Sequence, residues 1–187
     1  MSAWRGLLDQ LVRERGRALF GYAYVLTGDR YDAEDLLQDA LVRAFRSGRT
    51  ASSLNGAHVY VKRAIATAFI DRSRRLAARP LISGTGGDLQ DWVWGLPISP
   101  DHAADVESAL DLQSALLVLA PRERACMVLR FMDDLTVDAV ADTLGLAPGT
   151  VKRYLSDARA KLREVLPGLD LDDAETVSVE TRDGSGR

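Results

Sequence analysis

The segment TVDAVADTLGLAPGTVKRY, residues 136–154, constrains this chain more than any other. Val137, Val140, Ala141 and Leu144 fall at i, i+3, i+4 and i+7, the apolar stripe of a short helix. Gly145 suits the positive φ of a helix stop, and Leu146 turns back toward a core. Pro148 suits the first turn of a new helix, where its missing N–H removes no internal bond. Val151, Leu155, Ala158 and Leu162 then recur at i, i+4, i+7 and i+11, so the second helix has one side to bury. Its other side carries Thr150, Lys152, Arg153, Ser156 and Arg159. Two short helices about a glycine turn, with hydroxyl and basic groups on the second, match a helix-turn-helix whose second helix can enter a major groove. An αα-hairpin that only packs a bundle is the competing reading of this stretch alone.

The formal charge of −3 argues against a nucleic-acid partner only until it is divided. Residues 167–187 hold six acids against two arginines, a net of −4, which leaves +1 on residues 1–166. Residues 62–79 hold six cations against Asp71 alone, a net of +5. Residues 29–39 hold five acids against Arg30, a net of −4. Local charge of this kind, rather than the total, steers partners. Cys126 is the only cysteine, so an intramolecular disulfide is excluded and a buried structural thiol is expected. No stretch approaches the roughly 18 apolar residues of a membrane span, and MSAWRGLLDQ is not built as a signal peptide. A cytoplasmic protein with no direct membrane insertion is therefore expected. No His/Cys set has metal-ligand spacing, so no metal or other cofactor is expected.

The pattern predicts an all-α chain. A long helix spans about 5–26, with Leu8, Leu11, Val12, Leu19 and Tyr22 on related faces, and Thr27-Gly28-Asp29 breaks it. A second, about 33–47 and capped by Asp32, buries Leu36, Leu37, Ala40, Leu41, Ala44 and Phe45 and ends at Ser47-Gly48. Acids in its first turn suit the helix dipole. A polar stretch through Asn55-Gly56 and a loop His58 lead to a third helix, about 57–78, which buries Val61, Ala64, Ile65 and Ala68. Residues 80–104, punctuated by glycine and proline, read as a flexible linker. Within it, Ser83–Asp88 lacks the spacing, preceding strand and lysine of a phosphate loop, and Trp92 and Trp94 dock on a domain or anchor a partner. Helices return from Val106 to Leu119 and from Pro121 to about Met132, with Val128, Leu129 and Phe131 assigned to the core. The expected organisation is a domain at 1–79, a linker at 80–104, a helix-turn-helix domain at 105–166, and an acidic, disordered tail at 167–187. That tail either competes for the basic recognition helix or is inert.

Four segments now stand in order: DAEDLLQDALVRAF (32–45), VYVKRAIATAFIDRSRR (59–75), LAPRERACMVLRFMDDLT (119–136) and the helix-turn-helix. Together they resemble the bacterial extracytoplasmic-function (ECF) sigma factors, the small two-domain type of the sigma-70 family, over roughly residues 10–165. The resemblance implies a non-enzymatic factor that binds core RNA polymerase and directs it to promoter DNA, with no small-molecule substrate. Region 2 would open the −10 element and region 4 would read the −35 element, and an anti-sigma factor is the implied regulator. Asp32, Glu34, Asp35, Gln38 and Asp39 match the segment that docks on the polymerase, although acids at a solvated helix start account for the same composition. Tyr60, Lys62, Arg63, Thr67, Arg72, Arg74 and Arg75 match the −10 segment. Melting needs phosphate neutralisation and a platform for an unstacked base, here completed by a loop at about 48–58.

For the −35 element the candidates are Thr150, Lys152 and Arg153 on base edges, with Ser156 on the same DNA-facing side. Arg159, Lys161, Arg122, Arg124 and Arg130 are the candidates for the phosphate backbone. Four departures from the family pattern stand out. Tyr60 replaces a frequent Trp, Thr67 a frequent Asn, and Asp157 a common basic residue. Ala147 replaces a hydroxyl cap worth about 0.5–2 kcal/mol. A stand-alone helix-turn-helix repressor or activator would not need the acidic helix or the upstream basic one. A helical adaptor that binds no DNA would leave both basic faces without a purpose.

Overall fold

The computed structural model describes residues 3–46, 53–78 and 103–167, and these are helical with no strand. Helices α1 (Ala3–Thr27), α2 (Arg30–Arg46) and α3 (Leu54–Ala77) pack mutually in the N-terminal half. The C-terminal half holds α4 (Ala103–Val118), α5 (Pro121–Met127), α6 (Val137–Leu144) and α7 (Pro148–Val165). A π turn over Val128–Met132 prolongs α5. The sequence segments 48–52, Ser83–Asp88, Trp92 and Trp94, and the acidic tail beyond 167 lie outside the described residues.

Local chemistry sets most boundaries. Gly28 (φ 73°) reverses the chain after α1, and its N–H donates to Tyr24 O at 2.8 Å. The cap of α2 is Asp29 rather than Asp32: Asp29 Oδ1 accepts the Asp32 N–H at 2.9 Å, so the helix starts three residues earlier than its pattern suggests. Ser53 caps α3 by accepting the Gly56 N–H at 3.1 Å. Asn55, Gly56 and His58, expected in a loop, therefore lie on the helix. Gly145 (φ 63°) stops α6 and Pro148 opens α7, as the pattern predicts, and Thr136, which the pattern does not single out, caps α6. Ala147 makes no side-chain cap bond.

The apolar stripes meet as expected in most places. Leu11, Leu19 and Tyr22 of α1, Leu36 and Ala40 of α2, and Val61 and Ile65 of α3 are buried. So are Val140, Leu144, Val151, Leu155 and Leu162 around the helix-turn-helix. Cys126 is fully buried, and desolvation pushes its thiol up to about 12. Phe131 is a correction. The π turn advances more slowly than an α-helix, so side chains after Leu129 leave the core register. Phe131 emerges 39% exposed, flanked by the Arg130 and Arg159 guanidinium groups at 6.0 and 5.7 Å from its ring centre.

The two halves are packed against each other, and one buried apolar cluster runs through both. Carbonyls at the end of α1 accept bonds from the C-terminal half, Tyr24 O in addition to its bond from the Gly28 N–H. Gln113 Nε2 donates to Tyr24 O at 3.2 Å, and Arg124 Nη1 donates to Leu26 O at 2.6 Å. A Cβ at Gly28 would lie 2.4 Å from Leu117 Cδ2, so Gly28 answers both a backbone and a docking requirement. Leu117 can swing its methyls aside, which leaves the positive φ as the larger penalty. Gly28→Ala is therefore expected to lower stability by about 1–2 kcal/mol, read from the midpoint of urea denaturation.

Candidate nucleic-acid interface

The recognition helix α7 buries Val151, Leu155, Ala158 and Leu162 and turns Lys152, Arg153 and Ser156 to the surface. Thr150 is half-buried in its first turn. The Arg153 guanidinium lies over the Tyr154 ring, 5.4 Å from its centre. That stacking limits the rotamers of a long side chain and aims a planar five-donor group outward. Arg122 Nη1 donates to Tyr154 Oη at 3.2 Å, joining the start of α5 to the same aromatic. Lys152, Arg153 and Ser156, with Thr150 beside them, thus form one continuous polar face.

Two cations expected on DNA are engaged by groups of the fold, Arg124 buried and Lys161 at the surface. Arg124 is buried, donating to the carbonyls of Leu26, Leu117 and Leu119, with its guanidinium 5.8 Å from the Phe69 ring centre. Desolvation lowers its pKa from the ordinary arginine value. It does not face a phosphate here; it holds the two halves together. Lys161 Nζ donates to both carboxylate oxygens of Glu123 at 2.7 and 2.8 Å, and Glu123 also accepts the Ala120 N–H at 2.9 Å. Lys161 therefore ties α7 to the start of α5. Arg159 is half-buried beside Phe131.

On α3, Tyr60, Arg63, Arg74 and Arg75 are exposed, and Thr67 is half-buried with its hydroxyl donating to its own helix. Tyr60, Arg63 and Thr67 line one wall of a cleft of about 710 Å³. Lys62 is drawn away from this face into a pair with Asp133. Arg72 pairs with Asp32, with Asp35 at 4.0 Å, so the basic and acidic surfaces share an ion pair at one corner. Glu34, Asp35, Gln38 and Asp39 are exposed on α2, and Asp39 meets Arg43 at 2.8 Å. The sequence reading missed two residues on this acidic side. Tyr31 and Val42, 77% and 55% exposed, bracket Asp35 and Gln38 at i, i+4, i+7 and i+11. Large apolar groups left in water on a helical stripe were the available signal.

Among the described residues there is no group of three or more His, Cys, Asp or Glu able to hold a metal ion, and no helix long and apolar enough to cross a membrane. The family model for Sigma-70 region 2 matches residues 11–79, and that for Sigma-70, region 4 matches residues 109–162. The RNA polymerase sigma-E factor of Streptomyces coelicolor is 35% identical over 180 residues, 94% of each chain. The ECF RNA polymerase sigma factor SigM of Mycobacterium tuberculosis is 33% identical over 162 residues, 87% of this chain and 78% of that one. In fold, the chain resembles the sigma factor RpoE of Bartonella quintana, solved in complex with the anti-sigma factor NepR. The TM-score is 0.53 at 22% identity, covering 87% of this chain and 98% of that one. With both region models matched in order along one chain and the Streptomyces sigma factor aligned over 94% of each chain, the protein belongs to the ECF sigma factors of the sigma-70 family.

Proposed function

We propose that this sigma factor binds core RNA polymerase through the exposed stripe of α2 and carries two separate DNA-reading faces. The stripe combines Glu34, Asp35, Gln38 and Asp39 with the uncovered apolar groups of Tyr31 and Val42. Acids supply a salt-sensitive encounter with a basic partner, and the apolar pair supplies area to bury once docked. On α7, Lys152 and Arg153 read base edges of the −35 element, with Thr150 and Ser156 beside them and Arg122 and Arg159 near the backbone. On α3, Tyr60 offers a stacking face for an unpaired base of the −10 element, while Arg63, Arg74 and Arg75 track phosphates. The domain division at 1–79, 80–104 and 105–166 follows these roles. The protein acts by binding and performs no chemistry itself.

The observation that carries this reading is the pairing of a fully buried Val151–Leu162 stripe with an uncovered basic face on the same helix, in a chain that also holds a second basic helix. An anti-sigma protein fits as a regulator, since the Bartonella fold relative was solved with one. The test is reconstitution of the chain with core polymerase on a library of genomic fragments. Transcripts starting at a defined set of promoters with shared upstream elements are expected. Active core polymerase giving no promoter-dependent transcript over that library would refute the proposal. Tight duplex binding by the chain alone would favour a stand-alone repressor instead.

A further inference from the structure

Asp157 stands in the third turn of α7, exposed on the side away from the buried stripe. Thr150, Arg153 and Asp157 fall at i, i+3 and i+7, so one helical line carries a hydroxyl, a guanidinium and a carboxylate. The cations one turn away, Arg153 and Lys161, are the neighbours that ordinarily neutralise such an acid. Both are engaged elsewhere. The Arg153 guanidinium lies over the Tyr154 ring, and Lys161 Nζ donates to Glu123 at 2.7 and 2.8 Å. Among the described residues the Asp157 carboxylate has no hydrogen bond or ion pair. Gly149 and Ala160 are exposed on the same side, and a Cβ at Gly149 would meet nothing within 4 Å. Small groups there let the helix backbone come close to whatever this face meets, which suits a side chain as short as aspartate.

We propose that Asp157 is a specificity-determining residue of the −35 contact, its carboxylate accepting a hydrogen bond from the amino group of a cytosine near the guanine that Arg153 engages. The inference rests on the −35 reading of α7 given above. An ionised carboxylate only accepts, so on a duplex it is repelled by phosphates and must find a donor on a base edge. The major groove offers two, the amino groups of cytosine and adenine. The adenine amino group lies between two acceptors, its own N7 and the thymine O4. The cytosine amino group has an acceptor, the guanine O6, on one side only, so cytosine is the base that a carboxylate meets with less repulsion. Four residues of helix rise about 6 Å and a base-pair step about 3.4 Å, which puts the cytosine within about two base pairs of the guanine. The competing role is plain repulsion: a carboxylate that faces a phosphate weakens every promoter alike and reads nothing.

The test uses holoenzyme reconstituted from core polymerase and the full chain, on a promoter library randomised across the −35 element, with transcripts counted by sequence. One column favouring cytosine is expected beside the guanine column that Arg153→Ala flattens. Asp157→Ala is expected to reduce that cytosine preference by roughly 5- to 150-fold and to leave the other columns as they are. Asp157→Asn places a donor beside the acceptor, the pattern that matches adenine N7 and its amino group, and is expected to move the same column from cytosine to adenine. The side chain is exposed and without a partner among the described residues, so neither substitution disturbs the fold.

A uniform gain for Asp157→Ala across all sequences, with no column changed, makes the residue a repeller of phosphate and overturns the inference. A column that stays with cytosine in both variants overturns it too. Arg153→Ala and Lys152→Ala holoenzymes on the same library tell this failure from a deeper one. If they also leave every −35 column unchanged, the −35 reading of α7 is wrong and the role of Asp157 falls with it. If they flatten a column and Asp157→Ala flattens none, only the role of Asp157 is lost.

Discussion

Replacing Arg124 by methionine is expected to destabilise the folded chain by about 2–4 kcal/mol, through loss of hydrogen bonds to three carbonyls. Two effects oppose each other. Burying a guanidinium is costly, and its lowered pKa reports that cost, which methionine would relieve. Against this, methionine keeps only the apolar stem and leaves the carbonyls of Leu26, Leu117 and Leu119 without their Arg124 donors. Leu26 O sits at the end of α1, where the helix supplies no donor of its own. An uncompensated buried acceptor costs roughly 1–3 kcal/mol, so the carbonyls outweigh the relieved charge. Urea denaturation measures the difference directly. If Arg124 were instead a phosphate contact, stability would stay within about 0.5 kcal/mol while the salt dependence of DNA binding weakened. The two outcomes separate a structural role from a DNA-binding one.

What the sequence could and could not convey follows from the range of each interaction. The helix-turn-helix is legible because its determinants are local: the Gly145 stop, Pro148 and the two apolar stripes lie within a few residues of what they control. The same holds for the Gly28 break. The starts of α2 and α3 lie ahead of the apolar pattern because Asp29 and Ser53 cap a few residues upstream of it. Docking of the halves left no periodic trace. Its polar bonds join residues 111, 89 and 98 positions apart, and a buried Arg124 has the same letter as an exposed one. The candidate sites divide along the same line. Lys152, Arg153 and Ser156 could be placed by helical phase alone. Lys161 and Arg72 could not, because their partners Glu123 and Asp32 lie 38 and 40 residues away.

Arg153→Ala is expected to cost about 1–3 kcal/mol of promoter discrimination, a loss of roughly 5- to 150-fold in specific transcription by the holoenzyme. The magnitude follows from its setting. Arg153 is exposed within the first two turns of α7, the part of a recognition helix that reaches base edges. The Tyr154 ring beneath it holds the guanidinium partly in place, so less side-chain entropy is lost when both forks engage a guanine. Arg153→Lys should recover little, because an ammonium keeps the charge but cannot form the paired, coplanar bonds. Lys152→Ala provides the contrast. If that lysine meets phosphate rather than base, the loss should be nearly uniform across promoters, and the slope of log affinity against log salt should fall by about one. Transcription from promoter variants mutated base by base across the −35 element, at two salt concentrations, distinguishes the two residues. A uniform loss for Arg153→Ala would move it from base reading to the backbone. A selective loss for Lys152→Ala would transfer that reading role to its neighbour on the same turn.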